Sequence, residues 1–373
     1  MARIAVLHNT LDFQGGADVV CLSVCAALQR EHDVALFTLS ETRPGALAER
    51  FGIDLDAAAL DVRMPPGAVL VARILSAAAP AIGPQLALRS VPVRYAFERA
   101  AAEFDLAVST ANELSLSVPS VQYVHYPQFH GDRLPDSTAG ISDRLWSRLA
   151  APERDALDSD AVTLLANSAW TAGVVDDVYG VEPSVLHPPV DPIEGGRDWD
   201  DREDGLVVVG RLAPDKRPLE AVRIVDGVRE RGHDLHLHIV GAAPRAYRAY
   251  ARRVEAAAAE RSYVTVERDA SRGRLESLLG SHKYGLNLKP EEHFGMSVAE
   301  YVAAGMVAFA PDSGGQREIL DERDDRLFAS PTEAVDHLVA AIDADTPPEL
   351  PADRFTAARF RDEIRRVVSR RLQ

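Results

Sequence analysis

The chain has 373 residues, with 57 Asp and Glu against 41 Lys and Arg, giving a formal net charge of −16. This length exceeds one ordinary core and predicts two α/β domains, while the acidic balance excludes general nucleic-acid binding, which needs a basic face. No run of 18 apolar residues occurs and the first residues already read as a strand, so neither a transmembrane helix nor a signal peptide is expected.

Residues 3–8 predict the first strand, 16–30 a helix with apolar residues at helical spacing, and 33–39 a second strand. Cys21 and Cys25, four apart on that helix, cannot build a metal site alone and are expected in the core. Further strands follow at 104–110, 121–125 and 162–166. The last leads through Asn167 and Ser168 into a helix that Gly180 ends. Residues 187–204 carry prolines, glycines and acidic charge without periodicity, which is linker chemistry. A fresh strand at 205–210 opens a second alternation. Its further strands are expected at 235–240, 263–267, 284–288 and 307–310, with helices between them, one over 244–260. Two consecutive Rossmann-like domains facing each other across a cleft are the simplest architecture, with boundaries at 1–190 and 191–350. Near the end, Phe360, Ile364, Val367 and Val368 fall at helical spacing opposite an Arg-rich face.

Two compositional departures stand out. Only three cations are lysine, Lys216, Lys283 and Lys289, which suggests a halophile or a GC-rich genome. A position that keeps lysine in an arginine-rich chain, Lys216 above all, calls for a compact point charge rather than a planar fork. Residues 62–97 hold Arg63, Arg73, Arg89 and Arg94 and no carboxylate at all. That basic, apolar stretch suits an anionic membrane surface or a lipid diphosphate; a pair of buried helices would share its composition.

The most informative stretch is 292–300, where Glu292 and Glu300 stand eight positions apart around a short helix that opens at Gly295. With a strand before it and another from Val307, this is a βαβ unit, and ligands of such sheets sit beyond the strands' carboxyl ends, at helix N-termini. Free amides there favour a phosphate, and carboxylates accept hydrogen bonds from sugar hydroxyls, so the combination points to a nucleotide sugar. Upstream, Arg211 and Lys216 lie five apart on the loop after a strand, where two cations can converge on a diphosphate. Downstream, Ser313, Gly314 and Gly315 form either a close-approach loop or a plain turn. In the first half, Gly15 and Gly16 join the opening strand to its helix without the GxGxxG spacing of a dinucleotide dehydrogenase. His125, between Tyr123 and Tyr126–Pro127, is the first-half candidate for chemistry, although a lone histidine on a strand is often structural.

The string Glu292-x7-Glu300, followed by Gly314, Gly315 and Glu318, resembles the signature of retaining glycosyltransferase family 4. The fuller Glu-His-Phe-Gly, Glu-Tyr, Ala-Ala-Gly and Asp-Ser-Gly-Gly pieces, with Tyr-Val-His-Tyr-Pro at 123–127, are similar to the α-1,2-mannosyltransferases of dolichol-linked oligosaccharide, as in a halophilic archaeal relative. The resemblance implies a GT-B fold, closed by the helix of 355–373 packing back on the first domain. It assigns the donor diphosphate to Arg211 and Lys216 and to the backbone around Gly295, Met296 and Ser297. Gly314 and Gly315 flank the donor, Glu300 grips the ribose, and Glu292 and His125 meet the transferred sugar, while Gly15 and Gly16 lie at the acceptor–donor junction. It implies metal-independent transfer of a hexose from GDP-mannose or a UDP-hexose, with no cofactor. The expected acceptor is a lipid-linked or cell-surface glycan at the cytoplasmic membrane face, where the enzyme would be peripheral. An epimerase on the same fold, or a nucleotide-sugar binder without transfer, is the alternative of another class.

Overall fold

The computed structural model describes residues 1–65, 67–82, 85–111, 113–127, 129, 141–243 and 247–373. The chain divides into two compact units, 1–189 with 357–373, and 190–356.

In the first unit the elements run β1 (Arg3–His8), α1 (Gly16–Leu28), β2 (Asp33–Thr38), α2 (Pro44–Phe51), β3 (Asp61–Arg63), α3 (Ala68–Ile82), α4 (Leu86–Glu98), β4 (Leu106–Ser109), β5 (Ser120–Val124), α5 (Ile141–Ala150), α6 (Arg154–Leu157), β6 (Val162–Ala166), α7 (Ala169–Tyr179) and β7 (Ser184–Val185). Among the described residues they form one parallel sheet in the order β3-β2-β1-β4-β5-β6-β7. The central strands read as unbroken apolar runs because helices cover both faces. Helix α1 starts where the Asp18 carboxylate accepts the Gly15 N–H at 2.9 Å, and α7 where Ser168 accepts the Thr171 N–H at 3.0 Å. Cys21 and Cys25 are buried free thiols in the core between α1 and the sheet.

The second unit runs β8 (Glu203–Val209), α8 (Pro218–Glu230), β9 (His236–Gly241), α9 (Arg248–Ala259), β10 (Val264–Arg268), α10 (Arg272–Ser281), β11 (His282–Leu286), α11 (Met296–Ala303), β12 (Val307–Pro311), α12 (Gln316–Ile319), β13 (Leu327–Phe328) and α13 (Pro331–Ala344). Its described strands are again all parallel, in the order β10-β9-β8-β11-β12-β13. Strand β8 begins two residues before the expected start, because Glu203, linker-like in composition, already pairs with His282 on β11. The expected start of a helix at 244–246 lies outside the described residues. The final helix, α14 (Ala357–Arg371), belongs to the first unit, burying Phe360, Ile364 and Val368 in the core beside α1. Its i, i+4, i+8 spacing puts those three on one face.

In each sheet the order reverses once beside the first strand, between β1 and β4 and between β8 and β11. Loops leaving the carboxyl ends of such a pair splay apart and open a crevice. That topology decides which side chains meet.

The segment 62–97 corrects one expectation. Arg89 is fully buried, not surface-exposed. Its guanidinium lies 3.8 Å from the Asp12 carboxylate and donates to the Thr10 hydroxyl at 3.3 Å and the Leu39 carbonyl at 3.4 Å. A buried cation is tolerated because a carboxylate, a hydroxyl and a carbonyl replace its water. Helix α4 turns one face inward, burying Ala87, Ser90, Val93 and Phe97, and leaves Tyr95 exposed on the other. Helix α3 differs: Val69, Leu70, Val71 and Ile74 are exposed, and so is Arg73, whose partner is Glu41 at 3.3 Å. Arg63 is held by Asp61 and Glu103, both at 2.9 Å.

Candidate functional site

The crevice of the second unit lies at the carboxyl ends of β8 and β11. After β8 the chain turns through Gly210 and Arg211 to Lys216; after β11 it runs through Asn287 and Lys289 to Glu292 and into α11. Lys216 Nζ stands 2.6 Å from Glu292 Oε2, and Lys289 Nζ lies 3.6 Å from Glu292 Oε1. Burial opposes ionisation of Glu292, but the charges of Lys216 and Lys289 outweigh it and hold the carboxyl below its ordinary value. Two of the chain's three lysines therefore converge on one carboxylate. Lys289 was not singled out from the sequence, although the scarcity argument that marked Lys216 applied to it equally.

Gly314 is drawn against the same loop. Its φ is +76°, a Cβ there would stand 2.5 Å from the Glu292 carbonyl oxygen, and the two residues form an isolated parallel bridge. Gly315 donates its N–H to the Glu292 carbonyl at 2.8 Å. The glycine loop is thus a close approach to the chain's own backbone, with left-handed geometry that only glycine adopts cheaply. Gln316, fully buried, locks this arrangement. Its amide donates to the carbonyls of Lys289, Pro311 and Ser313 at 3.1, 3.2 and 3.0 Å and accepts from Asn287 Nδ2 at 2.6 Å. The sequence carries no signal for that role, since an amide's partners are set by packing.

Gly295, at φ +110°, caps the N-terminus of α11. The first amides of that helix, from Met296 and Ser297 onward, have no intrahelical acceptor and face the loop region with the positive end of the helix dipole. Glu300 lies within α11 and pairs with Arg272 at 2.6 Å. Arg211 pairs with Asp215 at 3.0 Å and is exposed. Lys216, Glu292, Gly314 and Gly315 are thus brought into direct contact, whereas Glu300 and Arg211 each hold a separate partner. Chemically, the set offers cations and helix amides for phosphate beside carboxylates for hydroxyls.

The crevice of the first unit gathers His8, Asp18, Thr110 and His125. His8 Nε2 lies 2.9 Å from Asp18 Oδ1 and its Nδ1 3.1 Å from the Thr110 hydroxyl. Burial disfavours the imidazolium, while Cys21 and Asp18 favour it, and the balance pushes His8 up to about 10. His125 Nε2 donates to the Thr110 carbonyl at 3.1 Å. Burial, with the His8 charge behind it, brings His125 down to about 4, so near pH 7 it offers hydrogen bonds rather than positive charge. The neighbouring cation, His8, was not anticipated: it closes a strand and meets a helix residue ten positions on. Gly15 is exposed and Gly16 half-buried at the start of α1.

Residues 193–345 match the family model of glycosyl transferases group 1. The chain is 25% identical over 221 residues to the GDP-Man:Man(3)GlcNAc(2)-PP-Dol alpha-1,2-mannosyltransferase of Eremothecium gossypii, covering 53% of this chain and 38% of that one. The enzyme of the same name from Neurospora crassa is 24% identical over 263 residues, covering 57% and 47%. The matched part is less than half the length of either relative. Among solved structures, Anabaena Alr3699/HepE in complex with UDP and glucose superposes with a TM-score of 0.68 at 14% identity, over 99% of this chain and 100% of that one. WaaG, a glycosyltransferase of lipopolysaccharide biosynthesis, gives 0.63 at 16% identity over 98% and 95%. The second unit thus carries a match to glycosyl transferases group 1, and the chain's two Rossmann-like units have their structural neighbours in the GT-B fold.

Proposed function

We propose that the chain is a retaining glycosyltransferase of family 4, moving a hexose, mannose from GDP-mannose, onto a lipid-linked glycan. The observation that carries this reading is the contact of Lys216 with Glu292 at 2.6 Å, backed by the Gly314 loop and the amides of α11. Lys216 and Arg211 neutralise the departing nucleoside diphosphate. Glu292 accepts hydrogen bonds from the transferred sugar, and Glu300 from the ribose. The bond from the anomeric carbon to the phosphate oxygen breaks while the acceptor oxygen bonds on the same face, its proton passing to the departing phosphate. Charge stabilisation by the chain's own cations takes the part a metal plays elsewhere. His125 and the loop at Gly15 and Gly16 are the first unit's candidates for contacts in the reaction. The names of the curated relatives favour a mannosyl donor and a dolichol-linked acceptor. A UDP-hexose donor is the second reading, favoured by the UDP-glucose complex of the Anabaena protein. Incubation with labelled GDP-mannose and UDP-hexoses in EDTA, with and without a polyprenyl-linked acceptor, tests it. Label should pass to the lipid from one donor only; epimerised sugar, or binding without turnover, sinks the proposal.

The two carboxylates separate by ligand. Ribose is common to donor and product, so Glu300→Gln should weaken nucleoside diphosphate binding about tenfold. Glu292→Gln should leave that affinity nearly unchanged while impairing transfer. Calorimetric titration with GDP and UDP decides: equal losses in both variants would refute the division of roles.

No described helix is long and apolar enough to cross a membrane. The membrane contact proposed here is the exposed face of α3, where Leu70 is 62% and Ile74 56% exposed beside Arg73. An apolar face with a basic edge suits an anionic bilayer surface at the cytoplasmic side. Wild-type protein should sediment with anionic liposomes, and Leu70→Asp/Arg73→Glu/Ile74→Asp should remain in the supernatant. Co-sedimentation of that variant at the parental level would leave α3 without a membrane role. Arg89 is left out of the test because its guanidinium is internal.

A further inference from the structure

At the opposite edge of the second sheet, where its strands begin, three imidazoles crowd together. His236 opens β9, His238 follows two residues later, and His282 opens β11, so all three project from one face. Their ligand atoms lie within 4.8 Å of one another. Strand β8 runs between β9 and β11, and Gly205 is the residue that would come between the rings. A Cβ there would stand 2.4 Å from His236 Nε2 and 2.4 Å from His282 Cδ2. The missing side chain is what lets imidazoles from two non-adjacent strands meet. Glu203, the register partner of His282, brings Oε2 to 3.7 Å from His236 Nε2 and 3.8 Å from His282 Nε2.

The hydrogen bonds around the cluster fix which nitrogens face inward. His282 Nδ1 lies 2.8 Å from the Leu278 carbonyl, an acceptor only, so Nδ1 carries the proton and Nε2 keeps its lone pair. That Nε2 is buried and has no hydrogen-bond partner. An unpaired buried acceptor costs free energy that a bound ligand would recover. His238 Nδ1 lies 3.1 Å from the Glu267 carboxylate, which Arg274 holds at 2.6 and 2.7 Å. A carboxylate behind an imidazole orients the ring and raises its basicity toward an ion on the other nitrogen. Glu203 Oε1 is likewise steadied by Arg197 at 3.2 Å, leaving Oε2 toward the histidines.

We propose that His236, His238, His282 and Glu203 form a binding site for a divalent transition metal, with zinc the ion whose chemistry fits. Three imidazole nitrogens and one carboxylate oxygen are borderline ligands that zinc takes in tetrahedral geometry. Ligand atoms of such a site stand about 3.3 Å apart, so ring rotations of a few tenths of an ångström to about an ångström close the set. The site is separate from the Lys216–Glu292 crevice: six residue steps along β8 at about 3.3 Å each put it roughly 20 Å away. Its role is to tie β8, β9 and β11 together at the edge far from the chemistry.

The probe is Zn²⁺ itself, added to chelator-stripped full-length protein in a calorimeter, with Co²⁺ as a spectroscopic substitute. One equivalent should bind, Co²⁺ should develop the visible absorption of a tetrahedral site, and Zn²⁺ should raise the thermal midpoint. His236→Gln and His282→Gln should each lower Zn²⁺ affinity at least tenfold and remove the rise. Glu267→Gln, which touches no ion, should lower it about tenfold. The His236 ring is partly exposed, so its variant should keep the parental circular dichroism and exclude misfolding as the cause. Absence of saturable binding, or one equivalent bound equally well by both histidine variants, overturns the proposal.

Discussion

Lys216→Ala should lower kcat/KM by roughly 10² or more, because it removes a cation whose attraction grows as the diphosphate departs. Folding should survive: the side chain lies in a loop after β8, outside the sheet core. The loss should fall on kcat more than on KM, since charge builds only in the transition state. Glu292 supplies a second readout. Its carboxyl is held below its ordinary value, so its stabilising contribution is full above the unfolded-state value and is lost as pH falls through the folded-state value. With Lys216 gone, Lys289 at 3.6 Å and the neighbouring His293 remain to depress it, and the stabilising contribution shrinks. Urea unfolding at pH 7 and pH 4 should therefore show a smaller difference in the variant than in the parent. Turnover at the parental rate would remove Lys216 from the site.

Gly314→Ala should strongly disrupt the crevice. At φ +76° alanine is strained, and its methyl would press 2.5 Å from the Glu292 carbonyl oxygen and 2.7 Å from the Glu292 nitrogen. Neither atom belongs to a flexible side chain, so the Glu292 loop itself must move. Loss of roughly 2–4 kcal/mol in stability and about 10² in kcat/KM is expected. Gly315 is the contrast: at φ −68° and ψ −13° its backbone is one that any residue adopts. Chemical denaturation and steady-state rates check both numbers; a Gly314→Ala protein with parental stability and rate would mean that the loop yields freely.

The strands of both sheets were legible because parallel strands covered on both faces read as apolar runs, and the terminal helix because Phe360, Ile364 and Val368 keep one face. Short edges were not: β3 and β7, of three and two residues, carry too little pattern. Helix α4 was hidden by Pro92 within it, a residue that normally ends a helix. The site was legible as residue types but not as pairs. Lys216 and Glu292 lie 76 positions apart, and they meet because β8 and β11 are sheet neighbours, which spacing does not reveal. Arg89 was misplaced for a related reason: a positive residue among apolar ones looks like a surface until its carboxylate, 77 positions upstream at Asp12, is found beside it.

The chain passes out of the first unit after residue 189 and returns to it at 357. The first unit therefore cannot complete its core until residues 357–373 have been made, however early its sheet forms. Until α14 emerges, the apolar side of α1 that Phe360, Ile364 and Val368 will cover stays bare to solvent and to chaperones.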